Sequence, residues 1–154
     1  MRTVLHFLWL GGIVFGLVLL ALWLDRRMGW QGLQATVPGA ALTATGLAMM
    51  LWCIFLFVHL ARGTPHPFAA KTKRLVVVGP YRYVRNPMAW GGFTLVAGTA
   101  LWSGSVGLWF FLGLLMLFVR WFVPYYEEPD MERRFGEEYR DYCRRVPRWL
   151  PRFR

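Results

Sequence analysis

An all-α integral membrane protein with four spans is the fold this sequence predicts, and three observations carry the prediction. Of 154 residues, 56% are hydrophobic and 18% aromatic, beside 18 basic and 8 acidic side chains. A soluble domain is roughly 45–50% apolar and about 25% charged, so this chain lacks the polar surface to cover a soluble globule. The apolar residues fall into four stretches, about 4–24, 36–60, 88–102 and 106–124, and two of these easily reach the roughly 20 residues that cross a bilayer core. The basic residues are also placed unevenly. With both termini and the 61–87 loop on the cytoplasmic side, 15 of the 18 Lys and Arg lie inside, two lie outside and Arg120 falls within a span, as the positive-inside rule requires.

Each element has its own signal. The first stretch is too long for a signal-peptide core and has no small residues at a cleavage site before Asp25, so it is expected to remain as a span. The third stretch is short and rich in glycine, and its link to the fourth, Ser103-Gly104-Ser105, has no room for a separate element. The two are expected to form a tight helical hairpin. Ahead of it, Gly79-Pro80 marks a turn, and Asn86-Pro87 reads as an N-cap followed by proline at the first helical position. Beyond the fourth span, Met131, Phe135, Tyr139, Tyr142 and Val146 recur at steps of three and four. They form an apolar stripe on one amphipathic cytoplasmic helix, which should lie against the bundle or the membrane surface. Residues 1–154 then make one membrane domain, multi-pass in a plasma or inner membrane, with a cytoplasmic loop at 61–87 and a cytoplasmic segment at 125–154.

Composition also removes several function classes. So little charge with so many aromatics excludes disorder, and Cys53 and Cys143 offer neither a disulfide framework nor a metal-ligand spacing. The net charge of +10 is mostly topology, which leaves no call for nucleic acid as a partner. Within the spans, His6 and His59 sit near helix ends as interface or helix-bonding imidazoles, and Arg120 is one turn from the cytoplasmic end, within snorkelling reach of water. The glycines at 11, 12, 16, 91, 92, 98 and 113 read as marks of close helix approach.

Polar detail concentrates in two cytoplasmic segments. In the first, the helix N-terminus at Asn86-Pro87 has free backbone N–H groups with Arg82 and Arg85 beside it, a place for a carboxylate or phosphate. Tyr81 and Tyr83 suit either stacking on a ligand or anchoring at the interface. In the second, Glu127-Glu128 sit where the fourth span emerges, where they serve either as a site or as acids favourable to a helix N-terminus.

The string GPYRYVRNPM opening a transmembrane hairpin, followed after the hairpin by Glu127-Glu128 and then FGEEYRDYCRRVPRWLP, resembles the isoprenylcysteine carboxyl methyltransferase family and its relatives, the phospholipid N-methyltransferases. The resemblance covers roughly residues 71–152. It implies an integral-membrane methyltransferase that uses S-adenosylmethionine, held on the cytoplasmic side by the pre-hairpin loop, the hairpin and the C-terminal segment. Of the family's Arg-His-Pro-x-Tyr block, Arg85 and Pro87 match, while Asn86 stands for the histidine and Ala89 for the tyrosine. The resemblance places Arg85, Asn86, Pro87, Glu127 and Glu128 at the cofactor, with Arg85 and Asn86 as the catalytic pair. Tyr81, Arg82, Tyr83, Tyr139, Tyr142 and Arg148 join them from the flanking segments. The residue types suit that ligand: glutamates accept from ribose hydroxyls or an ammonium, and arginines hold a carboxylate. Methyl transfer to a carboxylate or thiolate needs no base, and Asn86 cannot serve as one, which slightly favours those acceptors on a lipophilic molecule. Two alternatives stand against this reading. One is a small non-catalytic subunit binding anionic lipid or a partner membrane protein. The other is a membrane reductase using a nicotinamide dinucleotide, for which the glycine-rich fingerprint is missing.

Overall fold

The computed structural model describes residues 16–60 and 74–151, and every described regular element is helical. Helix α1 is helical from 16 to 28, past the expected end at 24, and stops at Gly29, whose φ of 67° favours glycine. The expected first span therefore lies partly outside the described residues; His6, Gly11, Gly12 and residues 61–73 of the 61–87 loop lie wholly outside them. Helix α2 is Thr36–His59, α3 is Pro87–Ser103 and α4 is Val106–Phe122. Helical residues continue from α4 without interruption to Phe135, and among the described residues this 30-residue helix and α2 are the two that are long and apolar enough to cross a membrane. At 17 residues, α3 spans only about 25 Å.

The apolar side chains of these helices largely face outward. Leu51, Trp52, Phe55, Phe110, Leu117 and Phe118 are all more than half exposed, as expected of surfaces made for lipid. What holds α2 to α3 is instead close backbone approach. The pair runs antiparallel, with Gly39 of α2 against Trp102, Gly46 against Gly91 and Leu95, and Thr43 against Gly98 of α3. A Cβ on Gly39 would lie 2.5 Å from the Trp102 backbone nitrogen. On each helix the two glycines are seven residues apart, on one face. Gly91 and Gly98 thus do mark close approach, whereas Gly16, Gly92 and Gly113 face open space. Gly39 and Gly46 play that part unannounced by any charge or motif.

The α3–α4 hairpin forms as expected. Gly104 ends α3 in the left-handed region (φ 68°), and Ser105 caps α4, its Oγ accepting from the Leu108 N–H at 3.0 Å. Asp25, at the end of α1, completes this cap. Its buried carboxylate accepts from the Ser105 hydroxyl and from the Gly107 N–H, the latter at 2.9 Å. A negative charge at a helix N-terminus is favourable, so one acid ties α1 to the start of α4.

One expectation about the C-terminal half needs correction. Past the apolar stretch that ends at 124, a π turn, Val123–Glu127, carries the helix on into α5, Glu128–Phe135. Proline removes a donor, and the widened turn absorbs the loss, with the Glu128 N–H bonding the Val123 carbonyl. The apolar stripe, expected on one helix, is divided between α5 and α6, Glu137–Arg145, because Gly136 adopts φ 54° and turns the chain. Its members still meet, as Tyr139, Tyr142 and Val146 bury together against Met131, Phe135 and Leu75.

Candidate functional site

Three stretches distant in sequence converge where α3 begins: the turn Gly79–Arg82 with the loop to Pro87, the π turn, and α6 with its tail. Hydrogen bonds lock them in place. The Tyr142 hydroxyl donates to the Tyr81 carbonyl at 2.8 Å, and the Arg85 N–H donates to the Pro147 carbonyl at 3.0 Å. Asn86 Nδ2 reaches the Arg148 carbonyl at 3.3 Å and Trp90 Nε1 the Trp149 carbonyl at 2.9 Å. Asn86 occupies the N-cap position as expected, but its side chain makes no cap hydrogen bond and holds the tail instead.

Between the three stretches lies a cavity of about 200 Å³, with Arg85, Asn86, Glu127, Glu128 and the three tyrosines 81, 139 and 142 among its lining. Phe57 of α2, Met88 of α3 and Val119 and Phe122 of α4 supply apolar wall. Phe57 meets Tyr81 edge-on, ring centroids 5.5 Å apart, so α2 contributes to the cavity as well as to the bundle.

Charge in the cavity is unevenly satisfied. Glu128 is fully engaged: Arg148 donates from Nε to Oε1 (2.8 Å) and from Nη2 to Oε2 (2.6 Å), and Arg85 Nη1 lies 2.9 Å from the same Oε1. Arg85 Nη1 also reaches Cys143 Sγ, while its buried Nε has no partner. The side chain of Glu127, three residues beyond the apolar stretch that ends at 124, makes no hydrogen bond or ion pair among the described residues. Burial, and then the Glu128 charge, hold its carboxyl above the ordinary range. Burial likewise pushes up the phenols of Tyr81, Tyr139 and Tyr142, so all three remain neutral donors at physiological pH. The Glu128 hydrogen bonds, the larger influence on Arg148, raise its guanidinium further. No His, Cys, Asp or Glu grouping among the described residues could hold a metal ion.

Of the residues expected at the site, Tyr81, Arg85, Asn86, Glu127, Glu128, Tyr139 and Tyr142 border this one cavity. Pro87 is buried at the start of α3 just behind it. Arg148 acts on Glu128 from outside the lining, and Arg82 and Tyr83 are exposed and do not line it. Cys143, Trp90 and the tail carbonyls are the participants that sequence reasoning passed over. No local pattern marks them, because each matters only through a partner about 60 residues away.

Residues 34–138, roughly two thirds of the chain, match the sequence profile of a family described as phospholipid methyltransferase. The matched region begins just before α2 and contains Arg85, Asn86, Glu127 and Glu128. No curated protein and no solved structure matches the chain.

Proposed function

The chain belongs to the phospholipid methyltransferase family, and from that premise we propose that it is a four-span, S-adenosylmethionine-dependent methyltransferase acting on a lipophilic acceptor at the cytoplasmic membrane face. The observation that carries the reading is the pair of groups left over in the cavity: one buried donor, Arg85 Nε, and one unpaired carboxyl, Glu127. That pair suits a ligand bearing both a carboxylate and an ammonium, as the amino-acid end of S-adenosylmethionine does. When bound, this cofactor supplies a methyl group already activated on a sulfonium.

The residues of the chain then bind and align. Arg85 takes the carboxylate while Glu128 and Cys143 hold its other nitrogen, and Glu127 accepts from the ammonium or the ribose hydroxyls. A cation beside Glu127 favours its ionised form and reverses the effect of burial. Phe57, Met88 and Phe122 offer an apolar wall that keeps water from the reacting centre. In-line transfer needs alignment above all, and the tail hydrogen-bonded across Arg85, Asn86 and Trp90 fixes the arrangement. The missing histidine at Asn86 favours a carboxylate or thiolate acceptor. An amine acceptor needs a base that Asn86 cannot supply; water can take that proton, and the family description names phospholipid, so we extend the reading to a lipid amine.

The test is calorimetric titration of detergent-purified protein with S-adenosylmethionine or its demethylated product. Saturable binding to the wild type, lost in a folded Glu127→Gln variant, is expected. A folded wild type that bound neither ligand, in detergent or in nanodiscs, would return the chain to the non-catalytic reading.

A further inference from the structure

We propose that a groove on the outward face of α4, beside the cavity but separate from it, holds the phosphate of a membrane lipid. Five residues of its wall, Leu117, Arg120, Trp121, Pro124 and Tyr125, follow the steps of a single helix face. Arg148 closes the other side from the C-terminal tail, and the space between measures about 460 Å³.

The groove carries two guanidiniums and no carboxylate. Arg120 is exposed and makes no hydrogen bond or ion pair among the described residues. Arg148 lines the groove and spends Nε and Nη2 on Glu128, which leaves its Nη1 donors for another acceptor. The inference rests on the reading that α4 crosses the bilayer. On that reading Arg120 lies four residues, about 6 Å, inside the end of the apolar stretch at 124. From there the guanidinium snorkels to headgroup level, and the anion it meets is the phosphate of the surrounding lipid. The rest of the wall identifies a lipid as the occupant. Leu117, Trp121 and Tyr125 are 67%, 58% and 73% exposed, a leucine toward the acyl region with Trp and Tyr at headgroup level. Pro124 and Arg148 also border the space around Arg85 and Glu128. A phosphate gripped here therefore adjoins that second space beside Arg85 and Glu128 and stays apart from the candidate cavity, which neither Pro124 nor Arg148 lines.

The test is native mass spectrometry of the full chain in detergent, titrated with short-chain phosphatidylglycerol, with diacylglycerol of the same acyl chains, and with inorganic phosphate alone. One phosphatidylglycerol per chain is expected to bind saturably, about tenfold or more weaker in Arg120→Gln, with partial recovery in Arg120→Lys. Diacylglycerol should bind wild type and variant alike. Unchanged phosphatidylglycerol affinity in Arg120→Gln would overturn the proposal. So would inorganic phosphate binding as tightly as the lipid, which would mean a free anion site. If Arg120→Gln fails to fold, the wild type decides: a preference for phosphatidylglycerol over diacylglycerol below about threefold overturns the proposal, and a larger one supports it. No methyl donor is present in any arm, so loss of the methyltransferase reading and loss of this site are separate results.

Discussion

Glu128→Gln is the substitution that probes the most structure at once. It keeps the shape of the side chain and removes the charge that Arg85 and Arg148 share, at 2.9 Å and at 2.8 and 2.6 Å. Hydrogen bonds to charged groups contribute about 1.5–3 kcal/mol each. The Arg148 side chain is 37% exposed, so its share is discounted for solvent screening, whereas Arg85 and Glu128 are 13% and 16% exposed and retain most of theirs. Gln still accepts one hydrogen bond, which leaves a net loss of ~2–3 kcal/mol, or on the order of 4–12 °C in the unfolding midpoint. The tail should loosen first, since Arg148 is held to the core by this carboxylate. Hydrogen exchange at the Arg85 amide, bonded to the Pro147 carbonyl, should quicken before global unfolding. Thermal unfolding in detergent with exchange mass spectrometry measures both. A Glu128→Gln protein with an unchanged midpoint and an unchanged Arg85 exchange rate would refute the claim that this carboxylate fastens the tail over the cavity.

Other perturbations give equally definite outcomes. Folding holds Glu127 above its ordinary value of 4.5, so the ligand-free protein should have this contribution in full below about pH 4.5 and lose it as pH rises through the raised value. Glu127→Gln should abolish that dependence, melting above the wild type at pH 8 and level with it near pH 4. Asp25→Ala, which removes the carboxylate behind the Ser105 cap of α4, should cost ~2–4 kcal/mol, and Asp25→Asn about half as much because it keeps an acceptor for Gly107; an unaltered midpoint in Asp25→Ala would show this carboxylate to be dispensable. Gly46→Ala and Gly98→Ala should each cost ~1–3 kcal/mol by driving a Cβ into the facing backbone. Gly92→Ala and Gly113→Ala, facing open space, should be neutral or gain up to about 1 kcal/mol in helix propensity.

Much of this protein could be read before any coordinates. Hydropathy gave the helices, since apolarity over some 20 residues is a local property that a bilayer selects directly. The hairpin was legible because Ser103-Gly104-Ser105 leaves no alternative, and the motif Arg85-Asn86-Pro87 with Glu127-Glu128 marked the ends that meet. Less legible was the path between them. The apolar stretch ends at Pro124, yet a π turn carries the helix through it and brings Glu127 and Glu128 to the same cavity. The stripe from Met131 to Val146 looked like one helix until Gly136 turned the chain.

By itself the sequence determined membrane character, the expected orientation and the family, because composition, charge bias and motif are sums over neighbours along the chain. Tertiary structure alone decided that Glu128 lies between Arg85 and Arg148, that the tail hydrogen-bonds to the start of α3, and that Asp25 caps a helix 80 residues away. The α2–α3 pairing through glycines was likewise invisible beforehand. Such contacts depend on the register in which separate helices pack, and that register is set by shape and hydrogen-bond complementarity across the whole bundle, which no local window of sequence contains.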